Sequence, residues 1–333
     1  MTRTVTVGFP AVWDIAEWET SHANGERPDR WPYGLDRLDD QYDLRTVALS
    51  SRGYLPQFQS RRSQRRGVAI GWEESSVARL VASRRFEHVV GGVIWNTDPP
   101  VNARDRAVKA LYRRALKQAS ALWCLSRPQV ALVEAILGRD RPAVHFLKFG
   151  IDTDYYRPAP LPLQPLVLSA GGDRDRDIPT LYAAMAEIKA ARPDTQVVVQ
   201  TASDHPVPAG IVRVQRLSHR DLRDLYGRAS IVAIATRFNH HVSGMTVALE
   251  AAATGRPVVT TDTPGMSDYV DEASGRLTPA GDAGAMAAAV VGLLDSPRQL
   301  RDLGRAGQHR VLTSHSTKTM SSAIGEIVAS LSH

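Results

Sequence analysis

Ser243-Gly244-Met245-Thr246-Val247-Ala248-Leu249-Glu250-Ala251-Ala252-Ala253-Thr254-Gly255-Arg256-Pro257-Val258-Val259 reads as one repeat of an α/β protein: a glycine turn, a helix of small residues, a second glycine turn and a β-branched strand. The first amides of a helix have no intrahelical acceptor, so a helix opened by Gly244 suits an anion such as a phosphate. Glu250 stands about two turns into that helix among alanines. A carboxylate there either accepts hydrogen bonds from a sugar diol or is solvated.

Working outward, short β-branched runs alternate with helical patterns over nearly the whole chain, the signature of parallel sheets covered on both faces. Strands are expected at Thr4–Gly8, Leu44–Ser50, Gly67–Gly71, His88–Asn96, Ala121–Ser126 and Ala143–Gly150. Between them, Arg104–Ser120 carries a helical stripe of Ala107, Val108, Leu111, Ala115 and Leu116, and Arg127–Leu137 is a shorter case. Asp152–Pro165 holds prolines at 158, 160, 162 and 165 and no periodicity, so it reads as an extended connector. A second alternation follows, with strands at Leu166–Gly171, Gln196–Thr201, Ile211–Leu217, Ile231–Thr236 and Pro257–Thr261. The expected architecture is two Rossmann-like doubly wound parallel-sheet domains facing across a cleft: 1–150, and 151–333 with its C-terminal helix packing back on the first domain. Ligands of such sheets bind at the carboxyl ends of the strands.

Composition narrows the function. With 333 residues, 43% hydrophobic and 23% charged, the chain can bury large cores and is neither a disulfide scaffold nor low-complexity. Cys124 is the only cysteine, which rules out an intramolecular disulfide and a cysteine zinc site; a reducing, cytoplasmic location is expected. No signal peptide or spanning segment is read. The net charge of +6 is uneven, +7 over residues 1–150 and −1 over the rest. That leaves a solvated arginine-rich surface or peripheral contact with an anionic membrane through the basic half. Arg61-Arg62-Ser63-Gln64-Arg65-Arg66 is too short and too poor in aromatic neighbours for nucleic-acid binding, and none is expected. No His-x-x-x-His pair and no Gly-x-Gly-x-x-Gly after the first strand is present, no Asp-x-Asp loop of the cation-dependent GT-A kind is evident, and the same spacing in Asp173–Asp177 is interleaved with arginines, so neither a metal nor a nicotinamide cofactor is expected.

The run 243–259 resembles the nucleotide-sugar signature of retaining glycosyltransferases of the GT-B fold, family 4 above all, in which Glu-x7-Glu precedes a small-residue helix and Gly-(Lys/Arg)-Pro-Val-(Val/Ile). Phe149-Gly150-Ile151-Asp152-Thr153-Asp154-Tyr155-Tyr156-Arg157-Pro158 is similar to the family's hinge. Thr261–Val270 with Gly275–Asp282, and Leu217–Tyr226 with Ala229-Ser230-Ile231, are similar to its other segments in order and spacing. The resemblance spans about residues 143–312. It implies metal-independent transfer of a hexose-type sugar from a UDP- or GDP-sugar to a hydroxyl of a small-molecule, natural-product or lipid-linked acceptor, with retention of configuration.

On that resemblance Gly171, Gly172, Arg216, Leu217, Ser243, Gly244, Met245, Thr246 and Glu250 bind the donor, Glu250 through the ribose. Arg176 matches the usual lysine on the diphosphate. Arg174 stands in for the cation missing at Gly171, although an Arg/Asp surface network at Asp173–Asp177 is the alternative. Val242 occupies the place of the first glutamate, and the adjoining His240, His241 and Ser243 either take over a hydroxyl contact or are solvated. On the acceptor side, Asn96 and Asp98 follow the strand His88–Asn96, and Asp98 is equally a turn former beside Pro99. Trp31-Pro32-Tyr33-Gly34 either stacks on an acceptor or packs under a loop. Two other readings remain: an epimerase of similar fold, and a donor-binding protein without turnover.

Overall fold

The computed structural model describes residues 3–50 and 65–331; of the arginine run, residues 61–64 lie outside them. The chain divides into two compact units, one of Met1–Thr20, Arg30–Lys148 and Lys318–His333, the other of Ser21–Asp29 and Phe149–Thr317. Residues 21–29 join the second unit through Asp29, whose amide donates to Asp152 Oδ2 (2.9 Å) and whose Oδ1 accepts from the Thr317 hydroxyl (2.9 Å).

The first unit contains β1 (Thr4–Pro10), most of α1 (Ile15–Ala23, which crosses into the second unit at Ser21), β2 (Asp43–Leu49), β3 (Val68–Gly71), α2 (Glu74–Ser83), β4 (His88–Gly92), α3 (Ala103–Leu116), β5 (Ala121–Cys124), α4 (Arg127–Leu137) and β6 (Ala143–Phe146). Its sheet is parallel in the order β2-β1-β3-β4-β5-β6. The switch point of this order lies between β1 and β3. Val-Ala-Ile-Gly in β3 and Ala-Leu-Trp-Cys in β5 are buried throughout, as strands covered on both faces must be.

In the second unit β7 (Leu166–Ser169), α5 (Ile178–Ala191), β8 (Gln196–Gln200), β9 (Val212–Val214), α6 (His219–Arg228), β10 (Ile231–Ile234), α7 (Met245–Ala253), β11 (Val258–Thr261), β12 (Gly275–Thr278), α8 (Ala283–Leu294) and α9 (Pro297–Ser314) build a parallel sheet ordered β12-β11-β10-β7-β8-β9. This is the Rossmann order, with its switch point between β7 and β10. A core of Val167, Met185, Ile188, Val199, Ile231, Ala233, Val259, Val290 and Leu293 joins the sheet to α5 and α8. The last helix, α10 (Thr317–Ser330), packs on the first unit: Ser321 donates to the Gly34 carbonyl and the Tyr42 hydroxyl to the Gly325 carbonyl, both at 2.9 Å.

Three expectations change in detail. The strand His88–Asn96 stops at Gly92: the Val93 amide still donates to Trp123 O (2.9 Å), but the buried Glu74 carboxylate takes the next two amides, those of Ile94 and Trp95, at 2.9 Å. Helix α3 buries Lys109 and Leu116, while Leu111 of the expected stripe is 44% exposed. The proline-rich connector is no free linker. Buried Arg256 donates from Nη2 to the Ala159, Pro160 and Gly227 carbonyls and binds it to the second unit.

Candidate functional site

At the carboxyl ends of β7 and β10 two loops zip together. Arg176 and Thr236 form an antiparallel bridge, the Asp177 amide donates to Ala235 O (3.0 Å), and the Arg237 amide donates to Asp175 O (2.8 Å). The loops therefore hold Ala170–Asp177 and Ala235–Gly244 together at the switch point, where a doubly wound sheet takes its ligand.

Arg176 is the centre of this arrangement. It is 6% exposed, and Nη2 donates to the Ala170 carbonyl. A Cβ at Gly171 would stand 3.4 Å from Nη2, and one at Gly244 3.5 Å from Nη1, so two glycines form a cradle around the guanidinium. Both glycines have left-handed backbone, φ 107° and 90°. Nε and Nη1 are buried and make no hydrogen bond among the described residues. Burial pushes the arginine down to about 10, partly opposed by Tyr226 and Asp173. A cation desolvated to this degree, with two donors unmatched, is chemically suited to an anionic partner.

Gly244 is also the N-cap of α7, which has no side-chain cap. Ser243 and Met245 are buried, and Thr246 is exposed on the first helical turn. The Ser243 amide is held by Asn239 Oδ1 (2.9 Å) and the Met245 amide by the Val242 carbonyl (3.1 Å). Val242 itself is buried at φ 55°, a conformation that costs a β-branched residue about 1–3 kcal/mol and persists where the surroundings enforce it.

Burial disfavours the charged form of Asp173, but the His241 ring and the Asp175 amide hold the carboxyl down to about 2. His241, one of the adjacent histidine pair, is 3% exposed with Nε2 3.3 Å from Asp175 Oδ2, so it is not solvated. Arg174 is half exposed, 3.5 Å from Asp175, and its carbonyl accepts from the Arg237 guanidinium. The surface network weighed from the sequence therefore exists at Arg174, while Arg176 has left it for the interior. Arg237 is a cation at this mouth that the sequence reading passed over.

Glu250 lies deep in α7. Oε1 accepts from the Tyr156 hydroxyl (2.8 Å) and Oε2 from the Tyr226 hydroxyl (2.9 Å). Burial raises its carboxyl to about 7 even though both tyrosines favour the carboxylate. Each oxygen keeps a second lone pair. Gly172 is exposed beside the cradle, whereas exposed Arg216 and half-buried Leu217 follow β9 at the sheet edge, two strands out from β7. Tyr156 and Tyr226 were legible only as aromatic positions; their shared carboxylate was not.

In the first unit, Asn96 is 2% exposed. Its amide donates to the Lys109 carbonyl (3.3 Å) and its Oδ1 accepts from Arg113 (2.8 Å). Lys109 Nζ donates to Trp95 O and Asp98 O, and Gln129 to Ile94 O and Thr97. Asn96 thus braces the loop against α3. The half-buried Asp98 is the acceptor-side candidate the loop presents.

A family model described as Glycosyl transferases group 1 matches residues 164–296. The GDP-mannose-dependent alpha-(1-6)-phosphatidylinositol monomannoside mannosyltransferase of Mycolicibacterium smegmatis is 26% identical over 89% of this chain and 79% of its own. The D-inositol 3-phosphate glycosyltransferase of Segniliparus rotundus is 33% identical, over 38% of this chain and 31% of its own. Among solved structures, sucrose-phosphate synthase from Thermosynechococcus elongatus matches with a TM-score of 0.73 and 16% identity over 99% of both chains. Anabaena HepE in complex with UDP and glucose matches with 0.72 and 13% identity over 99% of this chain and 100% of its own. At such identities these two likenesses speak for the fold. With two Rossmann-like parallel sheets and these matches, the chain is a glycosyltransferase-type enzyme of the GT-B fold, similar to the family 4 glycosyltransferases.

Proposed function

We propose that the protein is a retaining, metal-independent hexosyltransferase that takes a nucleoside-diphosphate sugar. The observation that carries this is buried Arg176, cradled by Gly171 and Gly244 with two unmatched donors beside the uncapped start of α7. As the bond from the anomeric carbon to the phosphate oxygen breaks, its electron pair passes to the diphosphate, and that charge is what a preorganised guanidinium and helix amides stabilise. The acceptor hydroxyl forms the new bond on the same face, and its proton ends on the departing phosphate oxygen. Arg174 adds charge at the rim, Ser243 and Thr246 meet phosphate and sugar, and Glu250 accepts from the ribose through its remaining lone pairs. Gly172, Met245, Arg216 and Leu217 complete the donor contacts.

The named UDP complex and the GDP-mannose-dependent relative support UDP- or GDP-sugars as donors. The acceptor is held by the first unit, with Asp98 at its loop. Exposed Arg104, Arg106, Arg114 and Leu111 on α3 support peripheral contact with an anionic surface. No helix among the described residues is long and apolar enough to cross a membrane.

The test is a melting-temperature screen of UDP-, GDP-, ADP- and dTDP-sugars, since a ligand at a hundred times its dissociation constant adds about 2.7 kcal/mol. Product analysis with the stabilising donor follows. Free nucleoside diphosphate with an α-glycosylated product is expected from an α-linked donor. An epimerised donor, an inverted product, or binding without turnover refutes the reading.

A further inference from the structure

The carboxyl end of the first unit's sheet carries an aromatic array that the donor chemistry does not use. Phe9 lies near the end of β1 and Trp72 directly follows β3, so the array stands at the β1/β3 switch point, the place in such a sheet where a ligand is taken. Tyr33 stacks on Trp72 with ring centroids 4.1 Å apart and planes 10° from parallel; Trp13 lies 5.8 Å from Tyr33, and Trp18 6.2 Å from Trp13. Tyr33 holds its place in the stack at φ 64°, a left-handed conformation unfavourable for a tyrosine. Beneath it Trp72 is buried, whereas Trp13 and Trp18 are half-buried and Val12, on the turn before them, is 82% exposed. The aromatic surface thus continues from the core to solvent.

Charge decides what such a surface accepts. Asp14 and Glu17 flank Trp13 and Trp18, Glu19 accepts from the Trp31 indole N–H (2.7 Å), and Glu73 is close enough to help burial raise the Tyr33 hydroxyl. Arg30, whose guanidinium lies 5.7 Å over the Trp31 ring, is paired with Asp36 and Asp39. Carboxylates around half-buried indoles repel a phosphorylated ligand and favour a flat, uncharged or cationic one.

We infer that this array is the acceptor subsite, and that the acceptor joins its hydroxyl-bearing part to a flat, apolar-faced ring and carries no phosphate. The inference rests on the glycosyl-transfer reading and sets this chain apart from a relative named for inositol 3-phosphate.

Binding and transfer are measured separately on the full chain, with 4-nitrophenyl glucoside and inositol 3-phosphate as probes. Saturation-transfer NMR reports binding without donor, and transfer uses the nucleotide sugar that stabilises the protein. The aryl glycoside should bind with its ring protons saturated and should be the preferred acceptor. Trp13→Ala and Trp18→Ala should each raise its KM about tenfold while leaving the nucleotide Kd from calorimetry unchanged. Trp18→Phe should recover most of the loss, which separates stacking from a folding defect. Preference for inositol 3-phosphate, or an aryl KM unmoved in both alanine variants, overturns the inference. Ring-saturated binding abolished by Trp13→Ala, with no transfer from any nucleotide sugar, would uphold the aromatic subsite and refute the transferase reading instead.

Discussion

Replacing Glu250 by glutamine tests the interior of the donor unit through its proton. Glu250 is buried, its oxygens accept from Tyr156 and Tyr226, and its carboxyl is raised from 4.5 to about 7. Between those values the native protein holds a proton that the unfolded chain has released. Unfolding therefore gives up a proton, and the stability contributed by this residue falls as pH rises from 4.5 to 7, being flat on either side. One pH interval corresponds to about 1.4 kcal/mol, so the full fall is about 3 kcal/mol. Glu250→Gln keeps the shape and does not titrate. Urea unfolding of both proteins at pH 5 and pH 8 should show the wild type losing about 2–3 kcal/mol relative to the variant. Groups titrating elsewhere cancel in the difference. If the two stability profiles run parallel across that range, the carboxyl is not raised and the burial argument fails.

Arg176→Ala should depress kcat by about two to three orders of magnitude with a smaller rise in donor KM, while Arg176→Lys retains much of the activity; near-normal steady-state kcat in Arg176→Ala would place the diphosphate elsewhere. Turnover should survive excess EDTA, because Arg176 and the α7 amides take the role a divalent cation would have; abolition with recovery on adding Mg²⁺ or Mn²⁺ contradicts this. At Gly244, φ is 90° and an added Cβ would stand 2.7 Å from Ile234 Cγ2, so Gly244→Ala should cost about 1–3 kcal/mol, seen as a lower Tm and lost donor binding together. An unchanged Tm would mean that the loop is free to relax.

Much of the fold was legible because it rests on local chemistry. Ile231–Ile234 and Val258–Thr261 are continuous β-branched or apolar runs, as strands buried on both faces require, and Gly244 marks the turn into α7 wherever the chain is read. What escaped the reading depends on partners distant in sequence. Glu250 looked solvated or ligand-facing because the tyrosines that enclose it lie 94 and 24 residues away. Lys109 broke the expected stripe of α3 because two carbonyls of the loop after β4 receive its ammonium, so a charged residue is interior and Leu111 is not. Arg174 and Arg176 have the same composition around them and opposite fates. The bridge from Arg176 to Thr236 and the bond from its guanidinium to the Ala170 carbonyl hold one of them inward.

The placement of α10 has a consequence for how the protein is made. Met320, Ile324, Ile327 and Val328 are buried, and the helix lies close enough to the first unit that a Cβ on Gly325 would stand 2.4 Å from Gln41 Oε1. Yet Lys318 is synthesised 170 residues after Lys148, once the whole second sheet has been translated. On the ribosome the first unit must wait, with the surface meant for α10 open, while its sequel folds. Contacts of such long sequence separation close slowly, and the exposed patch is the site at which a nascent chain of this kind would meet a chaperone or another copy of itself.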